Sequence, residues 1–374
     1  MLRSFRYRLQ PTSRQSEELK NWLSSLRHLY NAALEQRIAA FKMRGISLSF
    51  YDQCKELTEL RGSDAEYKKV PCATEQDTLK RLDKSFKAFF LRVKRGQKPG
   101  FPRFRGYDRY NTFGLPVVKV CGNRVNIPNM GMVKFKKYRE LEGEIRNANV
   151  TFKNNRWWIS FVCDLGESPK KQAVSSAVGI DVGLTSFATL SNGEVIENPR
   201  FYRKAEEMLA KRQQSLSKKV KGSNSRERAK VLVGRAHEHI HNQRVDHARK
   251  TAVALYKRFD LISHEDLNIK GMVVSEDGKF SKSINDVGWG QFIGALQSKA
   301  EYAGKWCVPV NPRGTTQRCS RCGENVPKKL SDRTHDCSSC GLVLGRDENA
   351  AINILALGRS AVECMAEGQG IFNV

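Results

Sequence analysis

The chain has 374 residues, 40% of them hydrophobic and 28% charged, which excludes a disordered or fibrous class and leaves room for two or three domains with sizeable cores. Lysine and arginine outnumber aspartate and glutamate by 65 to 39, and a net charge of +26 calls for a polyanionic partner. No apolar run approaches the roughly 20 residues of a membrane-spanning helix, and the N-terminal residues lack the apolar core of a secretory signal, so no membrane contact and a cytoplasmic location are expected.

Residues 2–9 alternate, with Phe5, Tyr7 and Leu9 on one face and Arg6 and Arg8 on the other, as in a half-buried strand that joins a sheet formed later in the chain. Pro11-Thr12-Ser13 ends it, and Thr12 with Gln15 has capping-box spacing. Leu19, Trp22, Leu23, Leu26, Tyr30, Ala33 and Leu34 then recur at helical spacing, which predicts a core stripe rather than a base-stacking surface. Gly45 closes this helix; residues 50–60 predict a second, and a third follows Pro71 with Leu79, Leu82, Phe86, Phe89 and Phe90.

From 92 to 109 the chain changes character. Arg92, Lys94, Arg95, Lys98, Arg103, Arg105 and Arg109 interleave with Phe101, Phe104 and Tyr107 among glycines and prolines. Cations fix phosphates while aromatics stack on bases, so contact with a single strand or an RNA duplex is favoured over a solvated linker. Between 112 and 164, short β-type runs at 117–120, 124–127, 132–135, 148–153 and 157–163 predict a small barrel. Trp157 and Trp158 carry no assigned role beyond packing.

After a polar link at 166–176, Gly179-Ile180-Asp181-Val182-Gly183-Leu184-Thr185 has the pattern of a buried strand that carries one carboxylate and turns on glycine. Residues 186–190 and 194–196 predict two more strands around a Ser191-Asn192-Gly193 turn. The basic, polar stretch 201–241 reads as helical, either a solvated face or a track for a duplex. His237 and His241 stand four apart without a third ligand. Residues 259–267 form an apolar strand ending in acids that include Glu265, and Arg346-Asp347 opens a late helix. Acids so placed can converge. Three converging carboxylates repel one another unless divalent cations neutralise them, and hard oxygen ligands suit Mg²⁺; two ions about 4 Å apart stabilise the attacking and leaving oxygens of a phosphodiester displacement.

Of ten cysteines, Cys319, Cys322, Cys337 and Cys340 form two Cys-x-x-Cys knuckles, each followed by glycine. Two knuckles aim four thiolates at one ion and leave no open position, which predicts one structural Zn²⁺ rather than a redox pair. The other six are read as reduced and structural.

Residues 179–200, ending in Asn198-Pro199-Arg200, resemble the first RuvC-type motif of the transposon-encoded TnpB proteins, compact relatives of type V CRISPR effector nucleases. His264-Glu265-Asp266-Leu267 resembles the second motif, and Arg346-Asp347 with Asn349-Ala350-Ala351 and Asn353-Ile354-Leu355 the third. The likeness covers nearly the whole chain. It implies an α/β architecture: an RNase H-like (RuvC) nuclease domain at 171–312 and 343–374 with a zinc ribbon at 313–342, a β-barrel wedge domain at 1–10 and 106–170, and an inserted helical recognition domain at 11–105. It also implies an RNA-guided endonuclease that cuts double-stranded DNA beside a short transposon-adjacent motif. Asp181, Glu265 and Asp347 would be catalytic and hold two Mg²⁺. A guide RNA from the transposon end and target duplex DNA would be the partners, bound in part through Arg92, Lys94, Arg95, Lys98, Phe101, Arg103, Phe104 and Arg105, with a monomer favoured. Two positions depart from relatives. Gly345 stands where many carry Asp, and Asp77 follows Gln76 where many show two glutamines, so a base preference there does not carry over. A guided DNA-binding repressor or an accessory transposition protein without cleavage is the alternative, but it would call for a damaged acid triad. A strand-transferring transposase lacks its paired-His and Tyr arrangement here.

Overall fold

In the computed structural model, which describes residues 1–274, 281–329 and 331–366, the chain divides into two units, Met1–Glu167 and Ser168–Val374. The first begins with β1 (Leu2–Gln10), whose alternation buries Phe5, Tyr7 and Leu9 and pairs it antiparallel to strands formed more than 120 residues later. The helices α1 (Ser13–Arg44), α2 (Phe50–Ser63), α3 (Ala65–Lys69) and α4 (Cys72–Lys94) follow. Thr12 and Gln15 form the expected capping box, and Gly45 takes the left-handed conformation that ends α1. Leu29, Tyr30, Leu34, Leu57, Leu79 and Leu82 make the helical core, and buried Arg37 ties α1 to Gln53 of α2 and Asp83 of α4.

The remaining strands of this unit are β2 (Thr112–Leu115), β3 (Lys119–Cys121), β4 (Arg124–Ile127), β5 (Gly131–Lys136), β6 (Glu144–Lys153) and β7 (Arg156–Asp164). They form one antiparallel sheet in the order β2-β6-β7-β1-β5-β4-β3. The expected barrel is not closed by strand pairing: β2 and β3 are the end strands, and no ladder joins them among the described residues. One face is nonetheless a continuous core from Phe113 to Phe161, against which Trp22 of α1 packs. Trp157 is buried and donates its indole N–H to Ser16, while Trp158 lies under the guanidiniums of Arg6 and Arg8.

The second unit contains β8 (Ala177–Asp181), β9 (Ser186–Leu190), β10 (Val195–Glu197), α5 (Phe201–Ser217), α6 (Asn224–Arg258), β11 (Leu261–Glu265), α7 (Ile269–Val274), α8 (Ser281–Val287), α9 (Trp289–Ala303), β12 (Trp306–Val310), β13 (Thr334–Asp336), β14 (Val343–Gly345) and α10 (Arg346–Ala366). Five strands form a mixed sheet, β10-β9-β8-β11-β12, in which β8, β11 and β12 run parallel. Period-two alternation gives this sheet two covered faces. Val178, Ile180 and Ile262 pack against Ala248, Leu255, Phe292 and Leu296 of α6 and α9. On the other face Leu261, Val308 and Val310 meet Ile354 of α10. Gly179 lets α10 lie almost on the strand, since a Cβ there would stand 2.0 Å from the Ala351 carbonyl oxygen. Among the described residues no helix is long and apolar enough to cross a membrane.

Candidate active site and cysteine cluster

β8 and β11 are neighbours in parallel register, Ile180 opposite His264, so the next residues, Asp181 and Glu265, end adjacent strands at the same edge of the sheet. Carboxyl ends of parallel strands are where open α/β sheets place their sites. Asp347 arrives from the covering layer, in the first turn of α10, where an acid also suits the helix dipole. The turn beyond Asp181 is held by Trp289, whose indole N–H donates to the Gly183 carbonyl at 3.3 Å. Arg346 donates from Nε to Oδ1 of Asp347 at 3.0 Å.

The acids act on one another electrostatically. Burial, then the charges of Glu265 and Asp347, push the Asp181 carboxyl up to about 8, with Arg346 opposing. Burial also raises the Glu265 carboxyl, against which the Thr315 hydroxyl donates to Oε1. Such a set is unfavourable as three anions, and a divalent cation would relieve it. Among the described residues, only the four cysteines bring three or more candidate ligand atoms all within 4.8 Å of one another; the three acids do not form such a group.

The cysteines converge as their spacing requires. Gly323 and Gly341 take left-handed backbone after each knuckle and donate to the carbonyls of Cys319 and Cys337. Cys319 Sγ lies 3.6 Å from Cys340 Sγ, and Cys322 Sγ 3.6 Å from Cys337 Sγ. Disulfides are near 2.05 Å, whereas four sulfurs about 2.3 Å from one tetrahedral ion lie roughly 3.8 Å apart, so the cluster fits Zn²⁺. Desolvation opposes ionisation of Cys319, yet the backbone N–H groups of Cys322 and Arg321, with His335 and Cys340, bring its thiol down to about 5. β13 and β14 pair as the ribbon's hairpin and lead directly into Asp347.

The basic-aromatic stretch lies in the first unit. Arg92 and Lys94 close α4, and Arg92, Lys94, Arg95, Lys98, Arg103, Phe104 and Arg105 are exposed. Phe101 is 48% exposed but packs edge-on against Phe86 and Phe89 of α4, at 5.6 and 5.3 Å, so part of it is committed to the fold. Arg105 is anchored to α1: Asn31 accepts from its backbone N–H and donates to its carbonyl, and its guanidinium lies over Tyr30. His264 is buried in β11, its Nδ1 2.9 Å from the Glu265 carbonyl, and His241 lies beside Gln291. Sequence reading missed Thr315 at Glu265 and gave no role to Asn349 and Asn353.

Three family models match: OrfB_IS605, described as "Probable transposase", over residues 160–276; the "Cas12f1-like, TNB domain" over 289–354; and a "Helix-turn-helix domain" over 1–45, a segment that here forms β1 and the single 32-residue α1. The chain is 31% identical over 385 residues to the "Putative RNA-guided DNA endonuclease" of Streptomyces pristinaespiralis, covering 99% of this chain and 92% of that protein. It is 29% identical to the "Putative RNA-guided DNA endonuclease InsQ" of Escherichia coli (strain K12), over 97% of this chain and 94% of that one. The fold resembles that of the Cas12f1-sgRNA-target DNA complex, with a TM-score of 0.59 at 16% identity, covering 92% of this chain and 83% of the other.

Proposed function

The chain belongs to the OrfB_IS605/TnpB family of RNA-guided DNA endonucleases, and from that membership we propose that Asp181, Glu265 and Asp347 are its catalytic carboxylates, holding two Mg²⁺. The observation that carries the assignment is the convergence of two adjacent parallel strand ends and one helix start, close enough for Glu265 and Asp347 to raise the Asp181 carboxyl. Bound Mg²⁺ would supply charge stabilisation and an activated water for phosphodiester hydrolysis. The protein's own part is positional: Asp181 and Glu265 fix one side of the site from the sheet, and Asp347 closes it from α10.

The ligands follow from the same membership: a guide RNA from the transposon end, and duplex DNA beside a short adjacent motif. Base pairing with the guide would supply most of the specificity. We assign the cysteine cluster to one structural Zn²⁺ and the exposed cations from Arg92 to Arg105 to nucleic-acid phosphates, and we favour a monomer working in the cytoplasm. The finer partition into wedge (1–10 and 106–170), recognition (11–105), nuclease (171–312 and 343–374) and ribbon (313–342) domains is part of this proposal. The alternative without cleavage has no support from the three acids, which are all present.

The test is to purify the protein with its RNA, sequence that RNA, and assay plasmid cleavage with Mg²⁺. Asp181→Ala, Glu265→Ala and Asp347→Ala should each abolish cleavage while guide and target binding persist, because the acids would hold the ions that the reaction needs. Cleavage near the unsubstituted level in any one of them removes that residue from the site.

A further inference from the structure

Thr315 stands in the loop between β12 and the first cysteine knuckle, and it is buried. Its hydroxyl has one proton and two acceptors in reach, Oε1 of Glu265 and the Pro312 carbonyl at 3.0 Å; the Glu265 contact is the closer. Its backbone carbonyl accepts from Asn353 Nδ2 of α10 at 2.8 Å. The same Asn353 amide reaches the Arg318 carbonyl at 2.7 Å, and Asn349, one turn earlier and fully buried, donates to that carbonyl at 2.8 Å. Asn349 Oδ1 in turn accepts from the Ser320 backbone N–H at 2.9 Å. Cys319 sits between Arg318 and Ser320, and Asp347 lies two residues before Asn349.

These bonds form one strut from the cysteine cluster through α10 to Glu265. We propose that Thr315 is a positioning residue that orients Glu265 for cation binding, and that Asn349 and Asn353 lock it to the helix that carries Asp347. A glutamate side chain has three torsions to fix, and a donor on one carboxylate oxygen restricts them while leaving the second oxygen for the ion. The inference rests on the nuclease reading and adds the residue that aligns two of its acids.

Thr315→Val keeps the shape and removes the donor. In the full chain with its guide RNA, it is expected to raise the Mg²⁺ concentration for half-maximal cleavage about tenfold, the scale of lost outer-shell contacts at metal sites. In the RNA-free full chain, Mn²⁺ affinity measured by titration calorimetry should fall by a similar factor, with guide-RNA affinity and melting temperature unchanged. Thr315→Ser should restore both values. Should Thr315→Val fail to fold, Asn353→Ala is expected to give the same rise in Mg²⁺ requirement by freeing the Thr315 backbone. Wild-type Mg²⁺ dependence and Mn²⁺ affinity in Thr315→Val, or equal losses in the Val and Ser variants, would overturn the proposal. Glu265→Ala separates the two ideas: if it too leaves Mn²⁺ binding and cleavage intact, the nuclease reading fails; if it abolishes them while Thr315→Val does nothing, only the strut fails.

Discussion

Asp260, at the foot of β11, gathers four hydrogen bonds on one carboxylate oxygen: the backbone N–H and hydroxyl of both Ser175 and Ser176, at 2.6 to 3.2 Å. Lys305 stands 3.1 Å from the other oxygen. Bonds from Ser175, then Ser176 and Lys305, hold its carboxyl well below the usual range. A carboxyl lowered on folding contributes stability that is fully present above its unfolded value near 3.9 and is lost as pH falls through the folded one. Asp260→Asn is therefore expected to cost about 2 kcal/mol at pH 7, with the gap to the unsubstituted protein narrowing as the pH falls from about 5 to about 2. Denaturant melts at the two ends of that window check it, and a pH-independent gap would show that charge is not the cause. At Gly179 the constraint is space. An added Cβ would meet the Ala351 carbonyl oxygen at 2.0 Å and the Leu355 nitrogen at 2.7 Å, both backbone atoms that cannot swing aside. Gly179→Ala should displace α10, and Asp347 with it, costing about 3 kcal/mol and most of the cleavage while guide binding remains.

At the scale of elements, the ribbon and α10 behave as one piece, because Asn349 and Asn353 bind the backbone on both sides of Cys319. Structural zinc binding is coupled to folding and contributes on the order of 10 kcal/mol in small modules. Cys322→Ser should thus lower the melting temperature and cleavage together, and metal analysis should find one zinc per active chain; an active, zinc-free preparation would refute the ribbon. Much of this was legible in the residues. Cys-x-x-Cys pairs state their geometry locally, and so do a capping box and an alternating strand such as β1. The strand β12 was not, since Pro309 in Trp306-Cys307-Val308-Pro309-Val310 argues against a central strand, and the structure places it at the sheet edge where proline is tolerated. Nor was the length of α6, whose polar surface conceals the buried Ala248, Ala252, Leu255 and Tyr256 that carry it to Arg258. Thr315 was invisible for a different reason: its partners lie 38 and 50 residues away, and no local pattern encodes that meeting.

For the whole molecule the dominant fact is the charge of +26, which makes polyanion binding strongly salt-dependent. Each neutralised phosphate releases condensed counterion and adds about 0.7 to 0.9 to the slope of log affinity against log salt. Arg103 and Arg105 are exposed near the end of the segment that follows α4, and Arg105 is held in place through its backbone by Asn31, so its side chain can be removed without unmooring the loop. Replacing both arginines by Ala should flatten the slope for guide RNA by up to about two units, whereas Phe104→Ala should weaken binding at every salt concentration by a constant factor. Phe101→Ala belongs to a third class: because its ring packs on Phe86 and Phe89, it should lower stability as well as affinity. Filter-binding titrations between 50 and 300 mM salt, on the order of the range where such slopes are measured, separate the three. Unchanged slope and affinity in the double arginine variant would mean that these two cations are solvated surface and that the guide is gripped elsewhere.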